Sequence, residues 1–225
     1  MISRALSLLA LGAAVVVGTV TVPPRSEAGV ACVSSYSYAG LAHGAAGQAV
    51  RATLTPLARP QVHWGHVAAW IGVGGPKLGA NGTDAWIQVG FSGFYGGVTK
   101  LYYEVARPGS APRYFEVDGA PVIGEPRTLE VAELPGQPSW WQVSVDGTPV
   151  GEPVRLPGSH SRWAPTATAE SWNAGQGRCN WFLYRFDGVA VKTGYGWKPL
   201  TPGTVLRSRG YAVDRRAGGF TARTR

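Results

Sequence analysis

One amide and two carboxyl groups, each within a predicted strand, are the side chains of this sequence best suited to hold or transform a ligand. They belong to Gln88, Glu104 and Glu170, and aromatic residues accompany all three. Small or aliphatic residues alternate with aromatic or polar ones around them, which predicts β-strands with the polar set on one face. Aromatic faces stack on sugar rings or peptide side chains, and a few polar groups then orient the ligand. If the strands are neighbours, these residues line a groove, in which the two glutamates could also form a glycosidase pair.

The stretch Trp64–Phe91 has the clearest strand pattern. It predicts two strands, His63–Val73 and Asp84–Phe91, joined by the loop Gly74–Thr83. One face of each strand is aliphatic and the other carries large aromatic and polar residues, where a half-exposed strand would ordinarily carry Lys, Glu and Thr. This composition indicates a ligand surface; a register shift of one residue would exchange the faces and make some Trp residues core. The predicted groove residues are Trp64, His66, Trp70, Trp86, Gln88, Tyr102, Glu104, Glu170 and Trp172.

The composition indicates a single all-β domain. The chain has 225 residues with 32 Gly, 17 Pro and 9 Trp, only 15% charged residues and no long amphipathic helical pattern. About a dozen short strands separated by turn residues predict a β-sandwich of two antiparallel sheets. Asp146-Gly147 predicts a type I′ hairpin turn, and Pro149 and Pro153 predict that the following strand lies at a sheet edge or is irregular.

The N-terminal segment Met1–Ala28 has the pattern of a secretory signal peptide. Arg4 precedes the apolar run Ala5–Val22, and the small-residue cleavage pattern Ser26-Glu27-Ala28 follows. We therefore expect a secreted, extracellular protein whose mature domain spans residues 29–214, with no stable membrane association after cleavage. Two alternatives are a lipid anchor at Cys32 and an uncleaved membrane anchor.

The two cysteines, Cys32 and Cys179, form one disulfide most simply in an oxidising compartment.

The formal net charge is +8, and several arginines lie late in the chain. Residues 215–225 are interpreted as a basic, mobile C-terminal tail. Without a nucleic-acid motif, the expected partner is an extracellular peptide or polysaccharide, bound by a monomer, and not nucleic acid. His63 and His66 fall on opposite strand faces and no other spacing suits zinc, so neither a metal nor another cofactor is predicted.

Three motifs resemble those of the eqolisin, or glutamic, peptidases. They are Ala69-Trp70-Ile71-Gly72-Val73-Gly74-Gly75, Trp86-Ile87-Gln88-Val89-Gly90-Phe91 and Tyr102-Tyr103-Glu104-Val105. The resemblance implies a secreted, concanavalin-like jelly-roll β-sandwich that acts at acid pH. It also implies that Gln88 occupies the catalytic glutamine position, while Trp70 and Glu104 line the substrate site. In the family's mechanism a Glu activates water as general base and the Gln stabilises the oxyanion.

The sequence departs from the eqolisin pattern at two acidic positions. Ala169-Glu170 matches an Ala-Glu pair of the family, but Ala174 falls where the catalytic Glu is expected, and Gly74 replaces an acidic residue. The sequence therefore predicts an eqolisin-like protein that binds an extended peptide or glycan without the full catalytic dyad. The alternative is an acid-active glutamic endopeptidase that uses Gln88 and Glu170. A third is a glycan-acting or carbohydrate-binding protein.

Overall fold

A computed structural model describes residue 32, residues 35–200 and residues 203–225. The predicted signal peptide lies outside the described residues. In the part of the chain that is described, no helix is long and apolar enough to cross a membrane. Strands dominate, and a short 3-10 turn at Ala80–Gly82 lies in the loop between the third and fourth of them.

The strands, in chain order, are β1 (Ser37–Ala42), β2 (Ala49–Pro56), β3 (His66–Gly75), β4 (Ala85–Phe94), β5 (Lys100–Ala106), β6 (Arg113–Val117), β7 (Arg127–Glu133), β8 (Trp140–Val145), β9 (Thr148–Arg155), β10 (Pro165–Trp172), β11 (Leu183–Thr193), β12 (Gly196–Pro199), β13 (Thr204–Arg207), β14 (Tyr211–Arg216) and β15 (Gly219–Thr224).

Two antiparallel sheets pack face to face as a concanavalin-like jelly-roll β-sandwich, as the sequence predicts. The first, here called the groove sheet, has the order β13-β1-β10-β3-β4-β5-β6. The second, the back sheet, has the order β14-β15-β11-β2-β7-β8-β9, and β12 pairs with β11 beside it. The predicted strands His63–Val73 and Asp84–Phe91 correspond to β3 and β4, which pair directly at the centre of the groove sheet.

The core lies between the sheets and contains the aliphatic faces that the alternation predicts. On β3, Val67, Ala69 and Ile71 are fully buried, and Val89 and Phe91 of β4 lie beside them. The back sheet contributes large side chains that include Leu54, Phe186 and Phe220. Burial of apolar area stabilises a fold by roughly 25 cal/mol per Å². Because one face of β3 and β4 is fully buried, a register slip would be costly and the aromatic face is fixed outward.

The predicted hairpin and edge strand are confirmed. Asp146 and Gly147 have φ angles of 50° and 79°, the left-handed values that a type I′ turn requires at both central residues. The turn joins β8 to β9, and β9 is the last strand of the back sheet. Pro149 and Pro153 lie in β9, where the missing N–H groups interrupt no further strand pairing.

The predicted disulfide is confirmed between Cys32 and Cys179, whose Cα atoms are 5.1 Å apart. The bridge closes a loop of 147 residues and ties the segment before β1 to the segment before β11. By the chain-entropy relation, a loop of this length corresponds to about 5 kcal/mol of stabilisation through the unfolded state.

The interpretation of residues 215–225 as a mobile tail is wrong, because most of them form β15. This strand pairs with both β14 and β11. Phe220 is fully buried, with its ring centroid 4.5 Å from that of Phe186. The sequence Gly219–Thr224 alternates apolar and polar residues, so Arg223 points outward, where it pairs with Asp214. The sandwich therefore includes the C-terminal residues instead of ending at residue 214.

Candidate functional site

The outward face of the groove sheet borders a cavity of about 630 Å³. Side chains from β10, β3, β4 and β5 line it. Every second side chain of a strand points to the same face of the sheet, so the outward side chains of these neighbouring strands lie side by side. Six of the nine predicted groove residues are among them: His66, Trp70, Trp86, Gln88, Glu104 and Glu170.

Gln88 lies at the centre of the groove sheet, on β4, opposite Gly72 of β3 and Glu104 of β5. Its Nε2 donates a hydrogen bond to the Tyr102 hydroxyl over 3.0 Å. A Cβ atom at position 72 would lie 2.8 Å from the Gln88 Cβ. The absence of a side chain at Gly72 therefore leaves the space that Gln88 occupies.

Glu104 lies beside Gln88 and is held by an indole. Trp86 Nε1 donates a hydrogen bond to Glu104 Oε1 over 2.8 Å. Burial raises the pKa of the Glu104 carboxyl above its ordinary value, and Glu170 adds to this by repulsion. The Trp86 hydrogen bond and His66 act in the opposite direction and lower that pKa. Glu104 therefore takes up a proton at a higher pH than an exposed glutamate.

Glu170 lies on β10 next to a histidine. Its Oε1 is 3.4 Å from His66 Nε2, and the two side chains are only 11% and 16% exposed. The His66 ring is surrounded by other rings, with centroid distances of 5.7 Å to Tyr36, 5.7 Å to Phe94 and 5.8 Å to Trp172. Glu170 thus presents a mostly buried carboxyl at the end of the groove where these rings gather.

Trp70 brings a buried polar atom to the groove. Its indole Nε1 has no hydrogen-bond partner among the described residues. Trp70 lies on β3 between Thr168 and Gly90, and a Cβ atom at position 90 would lie 2.7 Å from the Trp70 Cα. Because buried N–H groups are normally paired, this donor is a candidate for a bond to a ligand.

Two tyrosines that the sequence analysis missed also line the cavity. Tyr38 of β1 is the cross-strand partner of Glu170, and Tyr36 lies just before β1. Burial, with Glu170 as the next cause, raises the pKa of both hydroxyl groups. Their spacing of two residues in Tyr36-Ser37-Tyr38 puts both on one face of an extended segment, and this pattern was the available signal.

The other three predicted groove residues do not line the cavity. Tyr102 is 2% exposed and accepts the hydrogen bond from Gln88, with its ring stacked on that of Tyr114. Trp64 stacks on Tyr95 and Trp172 stacks on Tyr36, outside the cavity at the end where His66 lies. Tyr102 therefore anchors the Gln88 amide, while Trp64 and Trp172 are exposed at the end of the groove.

The backbone has a positive φ angle at both positions where the sequence departs from the eqolisin pattern. Ala174 is exposed with a φ angle of 52°, in the turn that follows the end of β10 at Trp172. Gly74 has a φ angle of 86°, and a Cβ atom there would lie 2.3 Å from the Ala85 carbonyl oxygen. An acidic side chain at position 74 would therefore be strained in this backbone.

In the described part of the chain, no three His, Cys, Asp or Glu side chains are grouped to hold a metal ion.

The sequence matches no protein-family model and no curated protein. Solved structures do match the fold. Scytalido-glutamic peptidase with a transition state analog inhibitor is 15% identical and has a TM-score of 0.63, covering 85% of this chain and 98% of that one. SCP-B, a member of the eqolisin family of peptidases in complex with the tripeptide Ala-Ile-His, is 15% identical with a TM-score of 0.51, covering 84% and 96%. The chain thus has an eqolisin-like fold.

Proposed function

We propose that this protein is a secreted binding protein that holds an extended peptide in the groove. The observation that carries the proposal is the cavity on the outward face of the groove sheet, which is bordered by aromatic rings, one amide and two glutamates. Its volume of about 630 Å³ is within the usual range for small-molecule sites, 300 to 1,000 Å³. The aromatic rings supply contact area, and Gln88 and Trp70 supply polar groups that can pair with a peptide backbone.

The strand register sets the length of ligand that fits. The groove face runs along β3 from Gly74, opposite Trp86, to His66, opposite Phe94. Eight residue steps along a strand cover about 26 Å, the span of an extended peptide of about eight residues. Octapeptides are therefore the natural probes.

A peptide is favoured over a glycan by the fold comparison. Scytalido-glutamic peptidase has been solved with a peptide based transition state analog, and SCP-B with a tripeptide. Aromatic faces also suit sugar rings, so oligosaccharides are the alternative ligand in the test. Secretion is supported by the Cys32–Cys179 disulfide, since such bonds persist in oxidising compartments.

A second candidate function is acid-active endopeptidase activity with Gln88 and Glu170. Its support is that both side chains line one cavity. Against it, Glu170 is opposite Ala68 and Gln88 is opposite Gly72, so the two residues are four steps and two strands apart. Ideal strand spacings place their Cα atoms about 16 Å apart. That separation disfavours joint action of the two side chains on one water molecule.

Ligand titration tests the proposed binding function. Octapeptides and oligosaccharides of matched length are titrated into the protein, with Trp fluorescence and calorimetry as readouts. We expect peptide binding that is weakened by Gln88→Ala and Trp86→Ala and retained by Trp140→Ala, because Trp140 lies on β8 of the back sheet. Binding of oligosaccharides alone would contradict the proposal.

Digestion of an unfolded protein substrate over about pH 2 to 7 tests the second candidate, because carboxyl groups titrate in this interval. Cleavage at acid pH that is abolished by both Glu170→Gln and Gln88→Ala would make the protein a peptidase. We expect no cleavage.

A further inference from the structure

The groove has a charge opposite to that of the chain as a whole. The chain has 21 Lys and Arg residues against 13 Asp and Glu, a formal net charge of +8. The cavity lining nevertheless contains the carboxyl groups of Asp84, Glu104 and Glu170, and no Lys or Arg among the described residues. The described lining of the groove is therefore acidic, although the chain as a whole is basic.

The two glutamates have no basic partner apart from His66. Glu170 contacts His66 at 3.4 Å, and Glu104 accepts the indole N–H of Trp86. Neither forms an ion pair with Lys or Arg in the described part of the chain. Carboxylates that are removed from water without a counter-charge attract a cation more strongly than exposed ones do.

The aromatic lining suits a cation as well. Tyr36, Tyr38, Trp70 and Trp86 line the same cavity as the two glutamates. A Lys or Arg side chain is attracted to the face of an aromatic ring, and this attraction is stronger when the cation is desolvated. The positive charge elsewhere on the surface opposes this only weakly, because physiological salt screens exposed charges beyond about 8 Å.

We propose that the groove selects extended peptides that carry a lysine or arginine, whose cation is held by Glu104 or by Glu170 against the surrounding aromatic rings. This inference rests on the proposed function and names the class of peptide. A peptide with Gln at the same position lacks the ion pair, and one with Glu adds repulsion from two carboxylates.

The test uses three octapeptides that differ only at one central residue, Lys, Gln or Glu, titrated calorimetrically into the full protein near pH 7. We expect the Kd of the Lys peptide to be lower than that of the Gln peptide by a factor of roughly ten or more, because a charge-assisted hydrogen bond is stronger than a neutral one. The preference is expected to shrink in Glu104→Gln and Glu170→Gln and to disappear in the double variant. Glutamine keeps the shape and the acceptor oxygen, so these variants remove charge with little change in packing.

The matched control is Glu130→Gln, which makes the same charge change on the back sheet. Glu130 lies on β7 between Arg51 of β2 and Ser144 of β8. We expect it to keep the full preference for the Lys peptide. Equal affinity for the Lys and Gln peptides, or equal loss of preference in Glu130→Gln, overturns the inference but leaves peptide binding intact. Failure of every peptide to bind overturns the proposed function and this inference together.

Discussion

Gln88 and Glu104 are cross-strand partners on β4 and β5, and both side chains line the groove. Each has a separate anchor: Gln88 donates to the Tyr102 hydroxyl at 3.0 Å, and Glu104 accepts from Trp86 Nε1 at 2.8 Å. Cross-strand partners have Cβ atoms about 5 Å apart. A ligand group that reaches the amide therefore also reaches the carboxyl.

Gly72→Ala is expected to weaken ligand binding and to destabilise the fold. The new Cβ would lie 2.6 Å from the Ile87 carbonyl oxygen and 2.8 Å from the Gln88 Cβ, so β4 has to shift. Overpacking of this kind costs about 1 to 3 kcal/mol. Urea denaturation measures the loss, and peptide titration measures the effect on Gln88.

The control for Gly72→Ala is Gly44→Ala. Gly44 is exposed, and a Cβ atom there would meet nothing within 4 Å. We expect its stability to stay within about 0.5 kcal/mol of the parent protein. Equal behaviour of the two variants would mean that the space at Gly72 is not required.

Glu104→Gln is expected to remove a contribution of Glu104 that destabilises the fold as the pH rises. Burial raises the pKa of Glu104 in the folded protein, so the folded state binds its proton more tightly than the unfolded state does. Ionisation of Glu104 therefore opposes folding. Its cost is absent below the ordinary pKa of 4.5 and complete only above the raised value. Relative to the parent, the variant should gain stability as the pH rises from about 3 to 7.

Thermal unfolding of both proteins at several pH values measures this difference. Glu130→Gln, on the back sheet, is the control for the charge change itself. A stability difference that shrinks as the pH rises would contradict the assignment of a raised pKa to Glu104.

Strand alternation was sufficient to predict the aromatic face because the opposite face of β3 and β4 is almost purely aliphatic. Two buried strands of this kind allow one orientation, and Trp70, Trp86 and Gln88 then face outward together. The neighbouring order of β1, β10 and β3 was not predictable from alternation, since these strands are far apart in sequence and pair through tertiary contacts. For that reason Tyr36 and Tyr38 were missed.

The C-terminal strand was misinterpreted because its arginines dominate the composition. Residues 215–225 contain Arg215, Arg216, Arg223 and Arg225, which suggested a solvated tail. The apolar residues between them occur at a period of two, and this pattern carries more structural information than the net charge. Charges on an outward strand face are compatible with a fully buried inward face.

Phe220→Ala is expected to cost about 3 to 5 kcal/mol, the usual range for a buried aromatic residue. Its ring is fully buried and stacks on Phe186 at 4.5 Å. Arg223→Ala on the same strand is the control, since the exposed Arg223–Asp214 pair contributes at most about 1 kcal/mol. Denaturant unfolding measures both. A loss below about 1 kcal/mol for Phe220→Ala would mean that β15 is not part of the cooperative core.

The double variant Cys32→Ser with Cys179→Ser is expected to lose about 2 to 5 kcal/mol of unfolding free energy. The bridge closes a loop of 147 residues, so its removal releases a large conformational entropy in the unfolded chain. Urea denaturation should show a lower midpoint, and a reductant should shift the parent protein to the same midpoint while leaving the variant unchanged. Because only the unfolded chain gains freedom, peptide affinity of the folded variant should be retained. An unchanged midpoint in both experiments would show that the disulfide does not stabilise the sandwich.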